Sequence, residues 1–160
     1  MKGSDYEQVV AEVVETVAKI VDGHLSGTPD SGRKSRLLGA SGYRHQIDVS
    51  LRNDDVTLLI ECKHWARRVS PAALLAFAAR VIDIKAADHN RPTIPALVTT
   101  RDVQPGAALL AAYFGIEVMI VATVQDFAFR YRNHLVKGVP GFEIKMELGT
   151  PSIDIVDHTG

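Results

Sequence analysis

The chain has 160 residues, 46% of them hydrophobic and 23% charged, with a formal net charge of −1. That composition describes one globular domain with its own core and excludes a disordered or strongly basic chain. No apolar run approaches the roughly 18 residues that cross a bilayer, MKGSDYEQVV lacks a signal core, and the lone Cys62 excludes a disulfide framework or cysteine-rich zinc site, so a cytoplasmic protein without membrane association is expected.

Tyr6, Val9, Val10, Val13, Val14, Val17, Ile20 and Val21 recur at three- and four-residue spacing and predict a helix over 5–22. Ser4 with Glu7 three positions on forms a capping-box pattern. The Gly-, Ser-, Pro- and Asp-rich run DGHLSGTPDSGRKS predicts a loop over 22–35. Strands are expected at 46–51 and 56–62 around the turn-like RNDD. VSPAALLAFAARVIDIKAADHN predicts a second helix, with Ser70 as N-cap and Pro71 at its first position. TIPALVTT reads as a strand, PGAALLAAYF as a helix stopped by Gly115, IEVMIV as a strand and VQDFAFRYRN as a short helix.

This order, α-β-β-α-β-α-β-α, predicts a mixed sheet with helices on both faces. The two late strands are nearly all apolar, as strands buried on both faces should be. After Val136 the texture changes, and Phe142, Ile144, Met146 and Leu148 alternate as in a strand. A domain over 1–135 is therefore expected to carry a 136–160 extension, either a hairpin or an interaction arm.

Parity along the two early strands brings charged residues together. In the first, Gln46, Asp48 and Ser50 share one face, while Ile47, Val49 and Leu51 take the other. The shortest hairpin sets Leu51 opposite Val56, placing Asp48 and Glu61 on one face a diagonal step apart, about 7 Å, with Lys63 next along. Two carboxylates and a lysine at a strand end suit Mg²⁺, which takes oxygen ligands and is commonly held by one or two carboxylates plus substrate phosphates. The lysine can orient an attacking water or take its proton, so phosphodiester hydrolysis fits these parts. A solvated cross-strand salt bridge is the competing structural reading, although LLIECK sets Glu61 in an apolar strand where unpaired charge is costly.

With these residues in view, GYRHQIDVSL…TLLIECKHWARRVSPAALLAFAARVIDI…PALVTT…PGAALLAAYFGIEVMIV resembles the catalytic domain of Mrr-like restriction endonucleases, in the PD-(D/E)xK nuclease superfamily. The resemblance spans residues 4–125 and implies a restriction-endonuclease-like three-layer α/β/α sandwich with a central mixed sheet. It implies a metal-dependent DNA endonuclease using Mg²⁺, or Mn²⁺ as substitute. Asp48 and Glu61 would be metal ligands, the Cys62 carbonyl a further one, and Lys63 the residue that positions or activates water. Glu7 matches a helix acid that approaches the metal in some of these enzymes, and it equally completes the capping box with Ser4. Many Mrr-like domains carry Gln in place of Glu61 and a separate DNA-recognition domain, for which this chain has no room, so specificity for modified DNA is not implied.

Eight of the 18 Lys and Arg residues fall within 33–68, against four of the 19 acids, which can guide a polyanion to one face. Within that segment Arg44, Arg67 and Arg68 are candidate phosphate contacts, and Gln46, His45 and His64 candidate DNA or water contacts; surface roles are the alternative for each. Trp65 either stacks on a base or packs on the following helix. Cys62 faces away from the acids and reads as a small core residue. Because each subunit would hold one active site, cutting both strands implies a homodimer on DNA. A Holliday-junction-type resolvase, a catalytically silent DNA-binding module and a subunit of a larger defence or repair assembly are the alternatives.

Overall fold

The computed structural model describes residues 10–11, 30–31, 35–63 and 67–121. Expectations that fall elsewhere, on Glu7, His64, Trp65, the short helix over 124–133 and the 136–160 extension, lie outside the described residues.

Five strands make the main sheet, in the order β1 (Asp30–Ser31), β4 (Val49–Arg52), β5 (Thr57–Lys63), β6 (Thr93–Thr99) and β7 (Glu117–Ile120). β2 (Arg36–Leu38) and β3 (Arg44–Gln46) form a separate antiparallel pair. β4 runs antiparallel to β1 and β5, whereas β5, β6 and β7 are parallel. Helix α1 (Pro71–Ala87) connects β5 to β6, and α2 (Pro105–Phe114) connects β6 to β7. Two crossovers of one hand, stepping the same way across the sheet, put both helices on the same face. The chain is thus an α/β protein built on a central mixed sheet.

β5 is central and paired on both sides, so its residues Thr57 to Cys62 are all buried. Alternation sends Leu59 to the α1/α2 face with Leu97, Leu74, Phe77, Val81, Ala107 and Ala111. It sends Leu58, Ile60 and Cys62 to the opposite face with Val49, Leu51, Val98 and Met119, where the helical residues Val10 and Ala11 are also buried. At about 1.5–3 kcal/mol for each large aliphatic side chain taken from water, these two cores fix the sheet between its layers. Cys62 therefore packs as the small core residue its parity predicts.

The helices begin and end where local chemistry directs. The Ser70 side chain accepts the Ala73 N–H at 3.3 Å and Pro71 occupies the first turn of α1. Pro105 opens α2, and Gly115 closes it in the left-handed region at φ 66°. That conformation lets the Ile116 N–H reach the Ala111 carbonyl at 2.9 Å and turns the chain into β7.

Five expectations are corrected. The β4–β5 register sets Leu51 opposite Leu58, not Val56, because the four-residue loop is shifted one position along the chain: Arg52 pairs with Thr57, and the Asn53 side chain caps the turn by accepting the N–H groups of Asp55 and Val56. Ile47 does not share a face with Val49 and Leu51; it packs with Leu59 and Phe77 on the helix side. The strand expected over 46–51 is interrupted at Ile47–Asp48, where the chain leaves the main sheet for the β2–β3 pair. Asp30 and Ser31, inside the expected loop, pair with β4. Finally, among the described residues β7 is the last strand of the sheet, with Glu117 and Ile120 exposed, so its apolar run is not buried on both faces there.

Candidate active site

The candidate residues stand at the carboxyl end of β5, beside the parallel strand β6, the end of an α/β sheet where loops leave room for ligands. The last β4–β5 pair is Val49 with Ile60, so Asp48 and Glu61 are the next residues along the two chain paths. Within the ladder, Val49–Arg52, the two-residue slip preserves side-chain parity, and it sets the start of β4 beside Ile60, next to Glu61.

Asp48 is placed by the interruption itself. Where the backbone leaves the ladder, the N–H of Cys62 loses its strand partner, and the Asp48 carboxylate takes that position through Oδ2 at 2.8 Å. A buried amide left unpaired would cost about 1–3 kcal/mol, so the same bond satisfies the ladder and fixes the acid. N–H and C=O of one strand residue project from the same edge, so the Cys62 carbonyl leaves β5 on the Asp48 side. Lys63, the next residue, turns its carbonyl the other way, to the Thr100 N–H at 3.3 Å.

Glu61 is 2% exposed, and two cations meet one of its oxygens. Lys63 Nζ lies 2.7 Å from Oε1, and Arg80 Nη2 donates to the same atom at 3.0 Å. Oε2 is buried and has no hydrogen-bond partner among the described residues. An ionised carboxylate oxygen in that state is costly unless a cation or water joins it. Among the described residues no group of three or more His, Cys, Asp or Glu converges. Two carboxylates and a backbone carbonyl form an oxygen-only donor set, which suits a hard divalent ion completing its shell with water and substrate.

Arg80 is the participant that sequence reasoning missed. From the third turn of α1 it also donates Nη1 to the Gln46 carbonyl at 3.0 Å and Nε to the Ala76 carbonyl at 3.2 Å. Its guanidinium carbon stands 5.7 Å from the centre of the Phe77 ring. One signal pointed to it: Arg80 is the first charged residue in an otherwise apolar helix, PAALLAFAAR.

The candidate DNA contacts divide. Arg44 and Gln46 are exposed on the β2–β3 hairpin. His45 points the opposite way: its Nε2 lies 2.6 Å from Asp83 Oδ2 on α1, so its ring is engaged by the fold. Arg67 and Arg68 are exposed beyond the end of β5, and Arg68 stands 3.9 Å from Asp102 with both side chains more than half exposed, a contact of little energetic weight. Asp83 also accepts the Ser41 N–H at 2.9 Å and the Ser41 hydroxyl at 2.6 Å. Those bonds, with the one from His45, lower its pKa from 3.8 to about 2.

No protein-family profile and no curated protein matches the chain. Two solved structures are similar to it. A protein of unknown function matches with a TM-score of 0.49 at 20% identity, over 69% of this chain and 56% of its own. A repair endonuclease from Pyrococcus abyssi matches with a TM-score of 0.42 at 20% identity, over 54% of this chain and 37% of its own. The chain thus spans little more than half of one and about a third of the other.

Proposed function

We propose that the protein is a metal-dependent DNA endonuclease that hydrolyses phosphodiester bonds, with Asp48, Glu61 and Lys63 as its catalytic set. The observation that carries the reading is the buried Glu61 Oε2, without a hydrogen-bond partner among the described residues, next to Cys62, whose N–H holds the Asp48 carboxylate. An arginine paired with a carboxylate frequently engages both oxygens. Here both cations crowd one oxygen and leave the other for a ligand.

Asp48, Glu61 and the Cys62 carbonyl would hold Mg²⁺, with Mn²⁺ as substitute. When bound, the ion supplies Lewis-acid polarisation of a phosphoryl oxygen and offsets charge there. The chain does the rest. Asp48 and Glu61 would hold the ion beside the scissile phosphate, and Lys63, whose Nζ lies 2.7 Å from Glu61 Oε1, would orient the attacking water with its ammonium. Arg44, Gln46, Arg67 and Arg68 are exposed on either side of the β5 end and would contact the DNA backbone. A homodimer, with one site in each subunit, would cut both strands of a duplex.

The test is cleavage of supercoiled plasmid, linear duplex and a four-way junction with Mg²⁺, Mn²⁺ or chelator, beside Asp48→Asn and Lys63→Ala proteins. Metal-dependent cutting absent from both variants supports the nuclease, and the preferred substrate separates a restriction-like from a resolvase role. A wild-type protein that binds DNA but neither cuts it nor takes up Mn²⁺ overturns the catalytic reading. It leaves a DNA-binding module, alone or within a larger defence or repair assembly.

A further inference from the structure

We infer that Arg80 is a positioning residue, which locks the two acids into a shared geometry and keeps Glu61 Oε2 open for a cation. The inference rests on the metal-site reading above and adds to it a residue on a different element.

A guanidinium paired with a carboxylate frequently makes two parallel bonds, one to each oxygen. Arg80 does not. Its fork is split: Nη2 goes to Glu61 Oε1 and Nη1 to the Gln46 carbonyl, two residues before Asp48. Nε is tied to Ala76 within α1, so all three nitrogens are engaged on different partners. The planar group thereby spans from the β5 acid to the segment that delivers the β4 acid, with α1 as the fixed support. Because the second nitrogen is committed to Gln46, it cannot close on Oε2, which stays buried and unbonded among the described residues.

The interruption at Ile47–Asp48 makes such a bracket necessary. The regular β4–β5 pairing ends at Val49 and Ile60, so beyond that point the ladder no longer sets the spacing of Asp48 and Glu61. Two bonds do so instead: Asp48 Oδ2 to the Cys62 N–H, and Gln46 carbonyl to Arg80. Hydrogen bonds that orient a ligating carboxylate commonly govern metal affinity by 10- to 100-fold.

A charge-only role predicts something different. A cation beside a ligating carboxylate repels an incoming metal ion, so removing it would tighten binding. A lysine at position 80 would keep the charge but supply a point donor that cannot span both partners.

The experiment is Mn²⁺ titration by calorimetry of the wild type, Arg80→Lys, Arg80→Gln and Asp48→Asn proteins, with the thermal midpoint of each metal-free protein measured alongside. Both Arg80 variants are expected to bind Mn²⁺ at least about 10-fold more weakly than wild type, with Arg80→Lys folded and close to the wild-type midpoint. Arg80→Lys binding that equals or exceeds wild type overturns the bracket while leaving the metal site intact, provided Asp48→Asn abolishes binding. A wild type that takes up no Mn²⁺ overturns both readings.

Discussion

His45 Nε2 lies 2.6 Å from Asp83 Oδ2, and this pair, with the two bonds from Ser41, fastens the β2–β3 hairpin to α1. The carboxylate is the common acceptor, which is why its pKa falls to about 2 from 3.8. A folded pKa below the unfolded value contributes stability above the unfolded pKa and loses it as pH falls through the folded one. The contribution of Asp83 is therefore complete above pH 3.8 and is lost as the pH drops through about 2. The expected outcome is a higher thermal midpoint for wild type than for Asp83→Asn at neutral pH. That gap should narrow across this acid window; a pH-independent gap would assign the effect to shape and not to charge.

Gly39 tests the same clamp from the other side. A Cβ built there would overlap the Asp83 carboxylate, which Ser41 and His45 hold in place. Gly39→Ala should lower stability by about 1–3 kcal/mol, as overpacking does, measured by urea unfolding. In an Asp83→Ala background the same substitution should cost much less, because the obstructing group is gone.

Asp48→Asn separates the structural from the chemical role of that acid. The amide oxygen can still accept the Cys62 N–H. Stability should stay within about 1 kcal/mol of wild type, while metal uptake and DNA cleavage disappear. Loss of the fold in this variant would show that the charge itself holds the strand junction.

Metal should stabilise the protein through Glu61. At 100-fold excess over its dissociation constant a native-state ligand adds about 2.7 kcal/mol, so Mg²⁺ or Mn²⁺ should raise the thermal midpoint and chelator should reverse it. In Glu61→Gln the metal-dependent rise should vanish. A rise of equal size in that variant would place the ion elsewhere.

Much of this was legible in the chain because period and punctuation agree. Ser70-Pro71 and Gly115 mark helix ends by capping chemistry that does not depend on the rest of the fold. TLLIECK reads as a buried strand, and its parity alone puts Glu61 and Lys63 opposite Cys62. The junction at Ile47–Asp48 was not legible. QIDVSL alternates without a break, and only the tertiary pull of the β2–β3 pair turns Ile47 to the other face. Arg80 was hidden for a related reason: a helix pattern gives its face, but not the strand segments whose carbonyl and carboxylate it reaches. The exposure of Glu117 and Ile120 on β7 was also invisible, since strand order cannot be read from an apolar run.

Arg80 and Asp83 are three residues apart on α1 and so lie on neighbouring positions of one helix surface. The first holds Glu61 and the Gln46 carbonyl; the second holds Ser41 and His45. A single helical turn thus grips both ends of the chain path that runs from the hairpin tip to the paired acids. Torque on α1 about its axis reaches both grips at once, so the hairpin and the acid pair are geared together. The exposed Arg44 and Gln46 belong to that hairpin, and α1 joins it, through Asp83 and Arg80, to Glu61 on β5.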